Sequence, residues 1–188
     1  MKNKLIRVIA LLYNLFIYLP FYILNHISFR AILPKNIRRK IDFLRTKFIF
    51  LLGAKVGKNV FISKNFFTTN FKNISFGNNG TLGMNCQFYS YGEGITIGDN
   101  FLIGSNFVVH TSEHIFKDAS KPIIEQGCAY KPVIIGNNVY IGSGVTVLSG
   151  VTIGDNIIVG TGSIVTKNLD GGAIYAGNPA KKIKDLNT

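Results

Sequence analysis

Apolar residues recur at every sixth position across residues 135–168, and this repeat predicts the core of the chain. Three places after each apolar position stands Asn or Gly, the residues that adopt a left-handed backbone at least cost. A six-residue period matches neither the 3.6-residue repeat of a helix nor plain alternation along a long strand. It is typical of short strands joined by sharp corners. The apolar positions are Ile135, Ile141, Val147, Ile153, Val159 and Val165, and the corner positions are Asn138, Gly144, Gly150, Asn156, Gly162 and Asn168.

These short strands predict an all-β solenoid. One such strand cannot bury its own apolar face, but stacked coils can, so the period indicates a parallel β-helix. The same signature begins near Val56, loosens through the aromatic, Asn-rich stretch 66–76 and returns between Ile97 and Val109. We therefore expect a solenoid domain over 53–188, with wider and less regular coils in its first part.

The repeat is interrupted once, and two histidines stand at the start of the interruption. Val109 and Ile135 are separated by 26 residues, which is not a multiple of six, so about 113–132 is predicted to leave the wall as an extended loop. Long loops on rigid scaffolds commonly carry function. His110 and His114 lie at its beginning. Imidazole, whose unperturbed pKa is about 6.5, is well matched to general-base catalysis at neutral pH.

The chain resembles the hexapeptide-repeat acyltransferases, which include galactoside, maltose, xenobiotic and polysaccharide O-acetyltransferases. The match is carried by IGNNVYIGSGVTVLSGVTIGDNIIVGTGSIVTKNL and by the ending AGNPAKKIK, and it covers about 56–184. The resemblance implies a left-handed parallel β-helix, although the usual rule for parallel crossovers favours the right-handed form. It also implies a homotrimer whose active sites lie between subunits.

By this resemblance the donor is acetyl-CoA, and the catalytic histidine sits where the regular coil gives way to the loop. In the segment HTSEHIFKD that position falls on His114, with His110 as the alternative base or a contact for the acceptor. Glu113 or Glu125 would orient the imidazole, and the sequence does not choose between them. Asn85 is a candidate acceptor contact by rough alignment.

The resemblance also places coenzyme A along the coil corners and the end of the chain. A corner amide would stabilise the oxyanion formed during acyl transfer, and lysines would face the phosphates for a direct electrostatic reason. The glycines would equally fill tight turns in the absence of any ligand. The implied residues are Ser143, Gly144, Gly160, Thr161, Thr166, Lys167, Lys181 and Lys184.

Residues 1–52 differ from the solenoid in charge and composition. Residues 1–58 hold twelve Lys and Arg against one acid, the remainder holds nine against eight, and all twenty glycines follow Leu52. The apolar stretch 8–24 and the basic stretch 37–52 predict two amphipathic helices. Cations beside an apolar face favour anionic lipid. We expect membrane contact at the surface, with a spanning helix or a helix packed on the solenoid or on a neighbouring subunit as alternatives. A cleaved signal peptide is disfavoured, because no small-x-small site follows the apolar stretch. The polar stripe of the first helix would comprise Asn3, Arg7, Asn14, Tyr18 and Asn25.

Charge and cysteine content narrow the function. The solenoid is nearly neutral, so the net charge of +12 does not indicate nucleic acid as a partner. Cys86 and Cys128 form no disulfide or zinc pattern, which favours a reducing setting on the cytoplasmic face of the membrane. We expect an acetyl-CoA-dependent O-acetyltransferase that acts on a sugar hydroxyl of a cell-surface glycan or lipid-linked precursor, with no metal.

Three alternatives stay open. The same base would serve an amine, so N-acetylation of an amino sugar is one of them. A carbonic anhydrase-like metalloenzyme is the second, but it needs three histidine ligands, and His26 lies outside the solenoid. A non-catalytic β-helix scaffold is the third.

Overall fold

The computed structural model describes residues 2–26 and 33–186, and the chain begins with helices. A π-helical turn, Asn14–Tyr18, joins the first two helices and ends two residues before Pro20, and the N–H of the following Leu19 bonds to the carbonyl of Asn14. Because proline lacks an N–H and crowds the preceding turn, a locally widened turn is an expected accommodation. The helices are α1 (Lys2–Tyr13), α2 (Leu19–His26) and α3 (Lys35–Leu51).

The strands follow as five coils of three short strands each. A hairpin separates the third coil from the fourth, and an antiparallel pair ends the described chain. The first coils are β1 (Lys55–Val56), β2 (Val60–Ile62), β3 (Phe67–Thr68), β4 (Ile74–Phe76), β5 (Gly80–Leu82), β6 (Gln87–Tyr89), β7 (Ile95–Ile97), β8 (Phe101–Ile103) and β9 (Val108–His110). The hairpin is β10 (Ser112–His114) and β11 (Cys128–Tyr130), with a 3-10 turn at Ile123–Glu125 between them. The last coils are β12 (Val133–Ile135), β13 (Val139–Ile141), β14 (Thr146–Val147), β15 (Thr152–Ile153), β16 (Ile157–Val159) and β17 (Ile164–Val165), followed by β18 (Ala173–Ala176) and β19 (Lys181–Asp185).

The coils stack so that their strands form three parallel sheets. Sheet 1 holds the first strand of every coil, sheet 2 the second and sheet 3 the third, and β18 and β19 extend sheet 2. Val139 pairs with Ile157, 18 residues later, whereas Lys55 pairs with Ser75, 20 residues later. The prediction of wider coils in the first part of the solenoid is therefore confirmed.

The six-residue repeat forms the core as predicted. Each of its six apolar side chains is at most 1% exposed. Positive φ angles between 53° and 77° occur at five of the six corners. The prediction is wrong at Asn168, where the backbone is not left-handed. There the side-chain carbonyl instead accepts a hydrogen bond of 2.8 Å from the Thr152 N–H.

Phenylalanine rings fill the wider coils. Five buried rings lie in successive contact, and neighbouring centroids are 5.2 to 6.4 Å apart. Large aromatic side chains bury enough area to fill the greater cross-section that a longer coil encloses. The rings belong to Phe66, Phe76, Phe88, Phe101 and Phe107.

The C-terminal end of α2 and the whole of α3 cover the open end of the first coil and form its cap. Asn25 is 4% exposed. Its side-chain amide donates to the Phe66 carbonyl and accepts from the Phe66 N–H, both at 2.9 Å. Thr46 Oγ1 accepts from the Ile62 N–H at 3.1 Å. These bonds satisfy backbone groups that an uncovered edge would leave unpaired. The predicted polar stripe therefore ends in a buried amide that binds the solenoid.

Ahead of this cap, apolar side chains face outward. Leu11 is 66% exposed and Phe16 is 65% exposed. Ile9–His26 is long and apolar enough to cross a membrane by length and composition, and 11% of it is buried in the protein. This exposure distinguishes the stretch from the core helix of a soluble domain, which would be mostly buried.

Candidate active site

The interruption of the repeat is a β-hairpin that leaves the wall at the corner between sheets 3 and 1. His114 closes β10 and pairs with Cys128 of β11. Behind the tip, Gln126 Nε2 donates to the Asp118 carbonyl at 2.8 Å, and Gln126 Oε1 accepts from the Asp118 N–H at 3.1 Å. Glu125 lies in the 3-10 turn at the tip and, within residues 2–26 and 33–186, has no hydrogen bond to His114. Hydrogen bonds within its loop therefore hold the hairpin that carries the His114 imidazole.

His114 is exposed, and its side chain contacts a thiol. Its Nδ1 lies 3.4 Å from the Cys128 Sγ. The neighbouring Glu113 points to the opposite face, as alternation along a strand requires. There its carboxylate accepts a hydrogen bond from the Lys131 ammonium and one of 3.2 Å from the Ser149 hydroxyl. The bond from Lys131 holds the pKa of Glu113 below its usual value. Glu113 therefore links the hairpin to the coil that contains Ser149, and it does not contact the imidazole of His114.

His110 lies on the outer surface of sheet 3, next to the hairpin. Its ring stacks on that of Tyr89, with centroids 4.5 Å apart and planes 3° from parallel. Tyr89 in turn contacts Phe67 of the preceding coil at 5.6 Å. Partial burial lowers the pKa of His110, because a low-dielectric environment disfavours the charged imidazolium. His110 is therefore neutral at neutral pH and belongs to an aromatic ladder along sheet 3.

Asn85 occupies the corner between sheets 2 and 3 in the second coil, with φ at 58°. It accepts from Asn65 Nδ2 at 2.9 Å and donates to Asn106 Oδ1 at 3.1 Å, which makes it one rung of an asparagine ladder. The same residue lines a cavity of about 540 Å³ on the outer side of this corner. Amide and aromatic groups dominate its lining, which comprises Asn25, His26, Asn65, Phe66, Phe67, Asn85, Gln87 and Tyr89.

Four of the residues assigned to coenzyme A lie in one column. Ser143 and Gly144 form the corner between sheets 2 and 3 in the fourth coil, and Gly160 and Thr161 form the same corner in the fifth. The column is tightly stacked: a Cβ on Gly142 would lie 2.6 Å from the Thr161 nitrogen, so glycine is required there. Both hydroxyl-bearing residues of the column are exposed.

The other four assigned residues lie elsewhere. Thr166 and Lys167 occupy the corner between sheets 3 and 1, and Lys181 and Lys184 lie on β19, which pairs antiparallel with β18. All four are exposed. The hairpin that carries His114 leaves from the same corner as Thr166 and Lys167, between sheets 3 and 1. The column lies at the other end of the sheet 3 strands, at the corner with sheet 2.

Comparison with known proteins decides the family. The family profile of the bacterial transferase hexapeptide repeat matches residues 132–167, and that of the hexapeptide repeat of succinyl-transferase matches residues 73–110. The chain is 33% identical to the galactoside O-acetyltransferase of Escherichia coli strain K12 over 155 residues, which are 82% of this chain and 72% of that enzyme. This chain belongs to the hexapeptide-repeat sugar O-acetyltransferase family.

Solved structures of the family agree with this fold. A galactoside acetyltransferase in complex with coenzyme A superposes with a TM-score of 0.74 and 32% identity, covering 89% of this chain and 77% of that one. A maltose O-acetyltransferase from Clostridium difficile 630 gives a TM-score of 0.72 and 30% identity, covering 88% and 82%. The hexapeptide-repeat O-acetyltransferase fold thus extends over nearly the whole chain.

Some features of this O-acetyltransferase site carry no clear sequence signal. Cys128 lies 14 residues from His114, and their contact depends on the register of a hairpin whose strands show no apolar alternation. The stacking of Tyr89 on His110 depends on the register between β6 and β9, which pairs these two residues. Among residues 2–26 and 33–186, no group of three His, Cys, Asp or Glu side chains is arranged to hold a metal ion.

Proposed function

We propose that the protein transfers an acetyl group from acetyl-CoA to a sugar hydroxyl, with His114 as general base. The observation that carries the proposal is the exposed imidazole of His114 on a braced hairpin, in a chain 33% identical to a galactoside O-acetyltransferase. The Nε2 atom of His114 takes the hydroxyl proton while the sugar oxygen attacks the thioester carbonyl. The tetrahedral oxyanion then collapses, the carbon–sulfur bond breaks, and the leaving coenzyme A sulfur takes up the proton.

The corner column supplies the donor side of this reaction. Corner N–H groups are preorganised donors for the oxyanion, and Ser143, Gly144, Gly160 and Thr161 lie where the backbone allows close approach of a pantetheine arm. Thr166 and Lys167 would bind the adenine and phosphate end. Lys181 and Lys184 would meet the phosphates by charge-assisted hydrogen bonds. The relative solved in complex with coenzyme A supports coenzyme A as the donor-side ligand.

The acting unit is a homotrimer of left-handed β-helices, as the family membership suggests. Two observations support a site shared between copies. His114 and the corner column lie at opposite edges of sheet 3, so one chain does not present both to the same carbonyl. On the loop of the hairpin, Phe116 is 72% and Ile124 is 86% exposed, which suits packing against a neighbouring copy.

The acceptor is a cell-surface glycan or its lipid-linked precursor at the cytoplasmic face of the membrane. The outward apolar side chains of the first helices support lipid contact. Beside them, α3 and the outer face of sheet 2 form a cavity of about 500 Å³, and its cations suit anionic headgroups. Its lining is Lys35, Arg38, Arg39, Asp42, Phe61 and Thr81. Asn85 and His110 are the acceptor contacts, because they border the amide-lined cavity and the aromatic ladder that leads to the hairpin.

Acetyl-CoA turnover by the purified protein tests the function. Thiol release with a panel of glycan acceptors is measured for wild type, His114→Ala and His110→Asn, with coenzyme A affinity measured in parallel. His114→Ala is expected to keep its affinity and lose roughly 10²-fold or more in rate, the size of general-base catalysis. A fully active His114→Ala would refute the base assignment. Failure of wild type to bind coenzyme A would refute the acyl-transfer proposal itself.

Membrane contact is tested separately by flotation with phosphatidylglycerol and phosphatidylcholine vesicles. Wild type is expected to float with the anionic vesicles, and a Leu11→Asp, Phe16→Asp double variant is expected to remain in solution. Equal behaviour of the two proteins would argue that these side chains are covered by protein and not by lipid.

A further inference from the structure

The register of the hairpin dictates the contact between His114 and Cys128. Backbone hydrogen bonds in an antiparallel ladder alternate between bonded and non-bonded pairs, and side chains approach most closely at the non-bonded ones. His114 and Cys128 form such a pair, since bonded pairs flank it on both sides. On one side, the Ile115 N–H bonds to the Gly127 carbonyl at 3.0 Å. On the other, the Lys131 N–H bonds to the Thr111 carbonyl at 2.8 Å, and the alternation makes Glu113 and Ala129 the bonded pair next to His114.

The contact involves the nitrogen that decides which side of the imidazole is available as base. Neutral imidazole carries a single N–H, and the tautomer is set by the hydrogen bond that the other nitrogen makes. A base acting through Nε2 requires the hydrogen on Nδ1. The atom found 3.4 Å from Nδ1 is the Cys128 sulfur, and a thiol sulfur is a weak acceptor whose own hydrogen can rotate away.

We propose that Cys128 is the positioning residue of His114: its sulfur accepts a hydrogen bond from Nδ1–H and so holds the Nε2 lone pair toward the acceptor hydroxyl. This inference rests on the proposed role of His114 as base. Carboxylates perform this orienting task in many enzymes. Here Glu113 is engaged by Lys131 and Ser149 on the other face of the strand.

The test compares Cys128→Ala and Cys128→Asp with wild type, and Ser120→Ala serves as the control. Ser120 is an exposed residue of the same loop whose hydroxyl bonds to Asp118, so its variant removes one polar atom without touching His114. Thiol release from acetyl-CoA is measured against pH with a saturating acceptor. The tautomer of His114 is read from imidazole ¹⁵N NMR, which is tractable because the chain has three histidines.

Cys128→Ala is expected to lose roughly tenfold in kcat, the size of one hydrogen bond, with KM for acetyl-CoA unchanged. Its Nδ1-protonated fraction is expected to fall. Cys128→Asp supplies a stronger acceptor, so it is expected to recover kcat and to move the acidic limb of the pH–rate profile to higher pH, since a carboxylate stabilises imidazolium. Ser120→Ala is expected to match wild type.

The outcomes separate this inference from the proposed function. If His114→Ala is inactive while Cys128→Ala keeps wild-type kcat, pH profile and tautomer, the positioning role is overturned and the acyl-transfer proposal stands. A loss in Cys128→Ala that leaves the tautomer unchanged and is not recovered by Cys128→Asp would make the residue merely structural. If His114→Ala is fully active, the base assignment fails, and this inference fails with it.

Discussion

Asn25→Ala is expected to loosen the cap on the solenoid, and the size of the effect follows from the contacts. The amide of Asn25 satisfies both the N–H and the C=O of Phe66, each at 2.9 Å in a buried site. Leaving one buried polar group unsatisfied costs about 1–3 kcal/mol, so losing both partners is expected to cost about 2–5 kcal/mol. For a chain of this size, each kcal/mol lowers Tm by about 2–4 °C. A fall of roughly 4–20 °C is therefore expected.

Thermal unfolding followed by far-ultraviolet circular dichroism measures this fall, and Asn36→Ala is the matched control. Asn36 is an exposed residue in the first turn of α3, so its variant makes the same chemical change without burying an unpaired group. Its Tm is expected to stay within about 2 °C of wild type, because surface substitutions rarely exceed about 0.5 kcal/mol. Equal Tm values for the two variants would refute the view that Asn25 ties the helical segment to the first coil.

Three further results are expected. Ile141→Ala removes a fully buried side chain and is expected to cost about 2–5 kcal/mol in denaturant unfolding; a loss below about 1 kcal/mol would contradict a sealed core. Burial lowers the pKa of His110, so the unfolded state binds its proton more strongly. The free energy of unfolding should therefore fall as pH drops below about 6.5, and by less in His110→Gln; parallel pH curves for the two proteins would argue against this. His114→Ala and Thr161→Trp should each be inactive, whereas copies refolded together should regain partial activity, and no recovery would contradict a site shared between copies.

The sequence predicts the solenoid well because its period is a local property. Ile141 and its equivalents must point inward wherever a six-residue side repeats, and the Asn and Gly corners follow from backbone sterics. Asn168 breaks the corner rule because its side chain satisfies the backbone of Thr152, a contact that the period does not encode. Likewise, the spacing of Asn25 on a helix does not reveal a partner 41 residues away.

The candidate site divides in the same way. His114 is placed by the interruption of the repeat, which is visible along the chain. Its surroundings are not, because β10 and β11 are three residues each and their pairing decides which side chains meet. The register of the hairpin places Glu113 beside Lys131 and Cys128 beside the imidazole of His114. The sequence had suggested Glu113 or Glu125 as the residue that contacts this imidazole.

Analysis of the acetylated product tests acyl transfer by His114 most sharply. Purified wild type is incubated with isotopically labelled acetyl-CoA and a glycan acceptor, and the acceptor is examined for an ester-linked acetyl group. O-acetyl transfer with His114 as base predicts a labelled ester with wild type and a yield lower by roughly 10²-fold or more with His114→Ala, at equal coenzyme A affinity. Coenzyme A binding without label on any glycan hydroxyl, or equal labelling by both proteins, would contradict it.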